Sequence, residues 1–369
     1  MNDPRIVKIA DVLVNYSMSL KPGERVLIQG GVAAAPLIRA FYREALRAGA
    51  NPTTNIILPG LNKIFFDEAD EAQLSWIPEH AKVIYESYEA VLTIWSDVNT
   101  REGTHFDAEK RAIQARAMKP LQETFRQRMA SGELKWCGTL YPTPAHAQDA
   151  DMATEDFEDF VFNACLPDPD DPVGYWRGVE ARQDKLIQRL SQYDEIRIVA
   201  PDTDITVKVG GRTWINASGH LNFPDGEIYT SPHKEATSGH VHFTFPAVYR
   251  GVEVEDVQLW FEAGKVIKAA AGKGEDFLLA QLDTDEGARF LGEFAIGTNP
   301  MVQQFMKNTL FDEKIKGTIH MALGMAFPEA GGSNMSSVHW DMVLEMRNGG
   351  QLFGNGELIY ENGEFLFQE

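Results

Sequence analysis

The residues able to do chemistry gather in the second half of the chain. His339-Trp340-Asp341 lies in the strand-like run SSVHWDMVLEM. Side chains alternate along a strand, so the imidazole and the carboxylate leave the same face and make a corner suited to a divalent cation. Taken alone, H-x-D equally describes a core histidine beside a surface aspartate. His320 stands in a second apolar run, GTIHMALG. An imidazole buried there without a polar partner costs about 1–3 kcal/mol. Glu293 sits in LGEFAIG, where a carboxylate is costly unless a cation or hydrogen bond meets it. Glu227 ends Pro224-Asp225-Gly226-Glu227, a turn that would set a carboxylate at a cavity mouth. Each of the five has an ordinary alternative as a helix cap, an ion pair or an exposed turn. Their crowding in a chain otherwise poor in motifs favours a shared metal site.

The elements that must position these groups change character along the chain. Arg25–Gln29, Pro52–Leu58 and Ala90–Ile94 read as strands. Ala33–Ala48, Asp67–Trp76 and Lys110–Ala130 carry helical spacing. This alternation predicts an α/β fold that begins with an open, mostly parallel sheet. Gly30–Gly31 after the first strand lacks the G-x-G-x-x-G spacing of a dinucleotide site and reads as a tight turn. Residues 143–176, rich in Pro, Asp and Glu, look like helical connections and turns near a domain boundary.

From about Ile196 the strands follow one another: Ile196–Ala200, Ile205–Val209, Val241–Phe245, Val257–Phe261 and Val266–Ala270, with Glu262–Lys265 as a hairpin turn. Leu358–Tyr360 and Phe365–Phe367 flank Asn362–Gly363, a second hairpin signal. Helices are expected near Gly274–Gln281 and Asp285–Phe290. The predicted organisation is an N-terminal α/β domain over 1–190 and, over 191–369, a C-terminal mixed α+β domain rich in antiparallel strands that carries the metal and the catalysis.

Composition narrows the function classes. The 369 residues favour two domains over a single core. Hydrophobic residues at 44% and charged residues at 24% are ordinary for a globular protein. No stretch approaches the roughly 20 apolar residues of a membrane span. The start of the chain has no secretory pattern, so a cytoplasmic location and no membrane partner are expected. With only Cys137 and Cys165, neither a disulfide framework nor a Cys-x-x-Cys zinc cage is available. Any metal must use carboxylates and imidazoles. A net charge of −20 opposes nucleic-acid binding and would favour substrates with a positive end, such as a peptide's free amino terminus.

Beyond these readings, the blocks LNFPDGEIYTSP, YRGVEVEDVQLWFEAGKVIKA, DEGARFLGEFAIGTNP, LFDEKIKGTIHMALG and GGSNMSSVHWDMV, with KPGERVLIQG near the start, resemble the thermophilic metallo-aminopeptidase family over nearly the whole chain. The resemblance implies a homodimer that releases N-terminal amino acids from peptides at a two-metal site. It implies that Glu227, Glu293, His320, His339 and Asp341 are the ligands, with Glu293 bridging. It leaves the ions open among zinc, cobalt, manganese and magnesium. Glu313 of FDEK is the candidate proton shuttle; a surface ion pair with Lys314 or Lys316 is its alternative. One position departs from the family pattern. Phe327 in LGMAFPE stands where the family has an active-site tyrosine, so the ring is kept and the hydroxyl is lost. Losing one oxyanion donor costs roughly 2.7–4 kcal/mol, which predicts reduced or altered peptide hydrolysis.

Two other readings are open at this level. His320, His339 and Asp341 have the composition of a two-His-one-carboxylate iron(II) site, as in ring-cleaving dioxygenases resembling dihydroxypyridine dioxygenase. A non-catalytic metal-binding homologue is the third.

Overall fold

A computed structural model describes residues 3–367. The chain forms two compact units. The first runs through Tyr175 and adds Gly219–Pro224; the second takes Trp176–Ser218 and the chain from Asp225 onward.

The first unit holds a five-stranded parallel sheet in the order Asn51–Ile57, Arg25–Gly31, Ala90–Trp95, Lys135–Leu140 and Asn222–Phe223. Val26-Leu27-Ile28 and Ala90-Val91-Leu92 are buried without alternation, as expected of parallel strands covered on both faces. The helix Ala35–Arg47 buries Leu37, Ile38, Phe41 and Ala45, the stripe its spacing predicts. The helix Ala108–Ala130 starts where the Asp107 carboxylate accepts from the amides of Glu109 and Lys110. The helix expected over Asp67–Trp76 is two short ones, Leu61–Glu68 and Glu71–Ser75. Asp70 breaks it by starting a new capping box with Gln73. Among the described residues, no helix is long and apolar enough to cross a membrane.

The second unit contains two antiparallel sheets. The eight-stranded one runs in the order Lys265–Ala270, Gln258–Glu262, Ser238–His242, Thr203–Lys208, Glu195–Ala200, Gln351–Gly354, Glu357–Glu361, Glu364–Phe365. Both predicted hairpins form; Asn362 and Gly363 have φ of 50° and 89°, the positive pair a two-residue turn needs. The five-stranded sheet has the order His339–Glu345, Thr318–Gly324, Leu291–Gly297, Glu227–Thr230, Ile215–Ala217. The two sheets share one apolar core. Ile196, Ile205, Val241 and Leu259 of the first meet Phe294, Ile319, Met321 and Trp340 of the second. The fold class is thus mixed α/β, as expected.

One predicted helix does not form. Glu275–Leu282 is helical, but Asp285–Phe290 is a turn. The Asp285 carboxylate accepts from Gly287 N, Ser336 Oγ, Ser337 N and Ser337 Oγ. It ties two loops together and caps no helix of its own.

Candidate metal centre

The five-stranded sheet assembles the candidate site on one of its faces. Glu227 pairs with Gly297, Tyr229 with Ala295, and Ala295 with His320. Glu293 pairs with Ala322, Ala322 with Asp341, and Gly324 with His339. Directly paired residues point the same way, and so do residues two apart on a strand. Glu227, Tyr229, Glu293, His320, His339 and Asp341 therefore share a face. Ala295, Gly297, Ala322 and Gly324 share it too, and their small size leaves room between the polar groups. The opposite face, with Ile228, Phe294, Ile296, Ile319, Met321, Trp340 and Met342, is core.

A bulge makes this possible. Leu291 pairs with Leu323, yet Glu293 pairs with Ala322. The extra residue, Gly292, turns Leu291 into the core and Glu293 to the other side. Gly292 is packed too closely for any other residue, because a Cβ there would lie 2.0 Å from Met325 O. Its carbonyl accepts from Ser231 Oγ at 2.7 Å.

The polar groups lie within ligand range of one another. His320 Nε2 is 3.2 Å from Glu227 Oε2 and 3.7 Å from Glu293 Oε1. His339 Nε2 is 3.4 Å from Glu293 Oε2 and 3.6 Å from Asp341 Oδ2. Three triads have donor atoms within 4.8 Å of each other: Glu227, Glu293 and His320; Glu293, His339 and Asp341; Glu313, His320 and Asp341. Glu293 is common to the first two. His339 donates from Nδ1 to Met325 O at 2.9 Å, which leaves Nε2 turned to the carboxylates.

The donor set fits cations. His320 is fully buried, and neither ring nitrogen has a hydrogen bond of acceptable geometry. Glu227 Oε2 and Asp341 Oδ1 are also buried and unsatisfied. Orphaned buried atoms aimed at one small volume call for a partner that protein groups do not supply. The charges agree. Burial would raise the Glu293 carboxyl, but the two imidazoles beside it outweigh this and hold it at about 2. Burial would lower His339, but Asp341 and Glu293 outweigh it and push the imidazole up to about 10. The carboxylates thus draw positive charge to the cluster, as imidazole protons here, and a divalent cation would serve the same carboxylates. Carboxylate and imidazole donors with no thiolate suit hard or borderline divalent ions.

Two further groups complete the surroundings. Lys314 is fully buried; its Nζ lies 2.5 Å from Glu227 Oε1, 3.1 Å from Glu313 Oε2 and 3.6 Å from Asp225 Oδ1. Burial opposes its charge, but Glu227 and Glu313 hold the ammonium protonated. Glu313 both pairs with Lys314 and joins the triad with His320 and Asp341, and burial followed by Asp341 raises its carboxyl well above the usual range. Phe327 follows the Thr318–Gly324 strand and packs between two site residues. Its ring centroid is 5.1 Å from that of Tyr229 and 5.1 Å from that of His339.

All seven sequence-derived candidates therefore come together. Two neighbours were missed. The sequence offers Lys314 only as a surface partner of Glu313, since nothing local marks a lysine as buried. Tyr229 was legible: it lies two residues beyond Glu227, so strand alternation puts it on the same face.

Comparison with known proteins places the whole chain. The profile of the thermophilic metalloprotease family M29 matches residues 2–365. Aminopeptidase 2 of Geobacillus stearothermophilus is 27% identical, with 98% of this chain and 97% of that protein covered. Aminopeptidase T of Thermus aquaticus is 28% identical over 91% of each chain. The solved structure of wild-type AmpT from Thermus thermophilus superposes with a TM-score of 0.85 over 98% of this chain and 99% of that one. At 23% identity it speaks to the fold.

Proposed function

The chain belongs to the M29 family of thermophilic metalloproteases, and from that premise we propose that it is an aminopeptidase working with two divalent cations. Relatives named as aminopeptidases over nearly the full length support the reaction. The observation that carries the two-ion reading is Glu293. Its carboxylate belongs at once to a triad with Glu227 and His320 and to one with His339 and Asp341, as a bridging ligand would.

In this reading Glu227, Glu293 and His320 would hold one ion, and Glu293, His339 and Asp341 would hold the other. When bound, such a pair polarises a scissile carbonyl and lowers the pKa of an attacking water toward neutrality. The chain's own groups do the rest. Lys314 fixes Glu227 and offsets charge that the ions do not neutralise. The carbonyl of Met325 fixes the tautomer and direction of His339. Glu313, beside His320 and Asp341, takes the proton of the water and returns it to the leaving amine. A peptide with a free amino terminus is the substrate, and a cytoplasmic homodimer is the form we assign. The iron(II) dioxygenase reading needs His320, His339 and Asp341 on one ion, whereas the two imidazoles fall in different triads.

Metal analysis on purified protein, paired with hydrolysis of amino-acid p-nitroanilides, tests the reading. About two divalent ions per chain and release of the N-terminal residue, both lost on chelation, are expected. His339→Ala and Asp341→Ala should lower metal content and abolish activity while the chain stays folded. A single ion per chain, or full occupancy in both variants, removes the two-ion assignment. Light scattering that finds only a 41.2 kDa species removes the dimer.

A further inference from the structure

Attack of water on a carbonyl builds negative charge on the carbonyl oxygen, and a preorganised donor aimed there stabilises the transition state more than the ground state. The site face is poor in such donors. Glu227, Glu293 and Asp341 only accept, and the two imidazoles are turned toward carboxylates. Lys314 is committed to Glu227 and Glu313. Ser231 gives its hydroxyl proton to Gly292 O and accepts from Phe327 N at 3.0 Å. Thr230 points to the other face and donates to Thr213 O. Phe327, whose ring borders His339, has no polar atom to offer.

Tyr229 is different. The pairing of Tyr229 with Ala295, and of Ala295 with His320, puts the phenol in the same cross-strand row as His320, with only an alanine between them. It is two residues from Glu227 on one strand and diagonal to Glu293 on the next. It is 7% exposed, and its ring packs at a tilt against that of Phe327. Its hydroxyl is committed to no hydrogen bond among the described residues.

We propose that Tyr229 is the oxyanion donor of this enzyme, its phenol hydroxyl hydrogen-bonding the carbonyl oxygen of the substrate as charge develops there. The hydroxyl absent from Phe327 is thereby supplied from the neighbouring ring. The contribution is a hydrogen bond that strengthens in the transition state; the phenol keeps its proton throughout. The proposal rests on the aminopeptidase reading and adds to it a residue and a role.

The test uses full-length, metal-loaded protein, the p-nitroanilide that the wild type cleaves best, and the phosphonic acid analogue of the same amino acid as a tetrahedral mimic. Tyr229→Phe should lower kcat by about 100-fold with KM and metal content unchanged. Calorimetry should show weaker binding of the phosphonate, by about 10-fold or more, and unchanged binding of the free amino acid. The double variant Tyr229→Phe with Phe327→Tyr should recover much of kcat, whereas Phe327→Tyr alone should gain less than about 3-fold, since a donor is already present. A folded, metal-loaded Tyr229→Phe with wild-type kcat and phosphonate affinity overturns the proposal and leaves the aminopeptidase reading standing. Loss of metal from Tyr229→Phe also overturns it, because the phenol would then be part of the ligand scaffold. A metal-loaded wild type that neither cleaves p-nitroanilides nor binds the phosphonate overturns both.

Discussion

Each unit contains a five-stranded sheet, and the two treat burial in opposite ways. In the parallel sheet of the first unit, the buried positions of Arg25–Gly31 and Ala90–Trp95 are Val26, Leu27, Ile28, Gly30, Ala90, Val91, Leu92 and Ile94. On these two strands the polar groups, Gln29 and Thr93, are only half-buried, and Thr93 Oγ1 accepts from Trp136 Nε1; on the adjoining strand the buried polar group is Thr139, a neutral hydroxyl. In the antiparallel sheet of the second unit, every residue of Leu291–Gly297 and Thr318–Gly324 is buried, Glu293 and His320 included. The difference in what each sheet buries is informative. An imidazole kept mid-strand with neither nitrogen hydrogen-bonded, beside a buried carboxylate, destabilises the metal-free fold, so its retention points to a ligand.

The largest expected effect comes from removing that contrast at its centre. Glu293→Gln keeps the volume and deletes the charge shared by both triads. Metal content should fall for both ions and kcat should drop more than about 100-fold, the scale of losing one electrostatic contact to the transition state. Thr93→Val in the parallel sheet should cost only about 1 kcal/mol, one ordinary hydrogen bond, with activity unchanged. If the two variants behave alike by metal analysis and kinetics, the comparison between the sheets has no functional content.

Lys314 is next in size. Lys314→Met leaves Glu227 buried without the ammonium that pairs with it, a change that costs about 3–5 kcal/mol when one partner of a buried pair is removed. The loss should be greatest in chelator-treated protein and smaller with divalent metal present, because bound cations neutralise Glu227 in place of the ammonium. Denaturant unfolding with and without metal reads both numbers. Equal destabilisation in the two conditions would separate Lys314 from the metal centre.

How much of this was readable beforehand differs between residues. His339 and Asp341 were placed on one face by strand alternation, which needs no knowledge of the partner strands. Glu227 and His320 needed the antiparallel pairing, which a single strand does not encode. The resemblance to metallo-aminopeptidases grouped them, and the register explains why they meet. The side taken by Glu293 was illegible, because regular alternation would put it with Leu291 and only the bulge at Gly292 reverses it. In the first unit, the strand Lys135–Leu140 escaped notice because KWCGTL has a mid-strand glycine and little β-branching. A Cβ at Gly138 would meet the rings of Trp95 and Trp136 at 2.4 and 2.9 Å, so the weak strand signal has a tertiary cause. The helix expected over Asp285–Phe290 failed for a related reason: Asp285 looks like an N-cap but spends its acceptors on another loop.

Gly292 sharpens the comparison at intermediate scale, since the parallel sheet has no equivalent device in its central pairing. Gly292→Ala forces a Cβ against Met325 O, and overpacking of this kind costs about 1–3 kcal/mol. The same shift moves Glu293 and the Met325 carbonyl that orients His339, so metal affinity should fall with stability, by about 10-fold or more. Calorimetric metal titration of the variant checks this. Lost stability with unchanged affinity would mean that the bulge serves packing alone.

The smallest effect tests the support of the site from outside the sheet. Asp285 is exposed, and burial contributes only a raising influence on its carboxyl. The hydrogen bonds from Ser337, Ser336 and Gly287 outweigh it and hold the group at about 2. An aspartate in an unfolded chain titrates near about 3.9. The folded value is the lower one, so the ionised carboxylate stabilises the fold above about pH 4, and that contribution disappears as pH falls through about 2. Solvent screening at this exposed position limits it to about 1 kcal/mol. Asp285→Asn preserves the shape and removes the titration. Urea unfolding of wild type and variant from pH 2 to 6 should show a gap that is constant above about pH 4 and narrows below it. A gap of one size across the whole range would assign the residue's effect to hydrogen-bond geometry and not to its charge. Because Ser336 and Ser337 lead directly into the strand that starts at His339, a metal affinity that changes with this substitution would extend the centre's support to the 285 turn. An unchanged affinity would confine that support to the sheet, the Met325 carbonyl and Lys314.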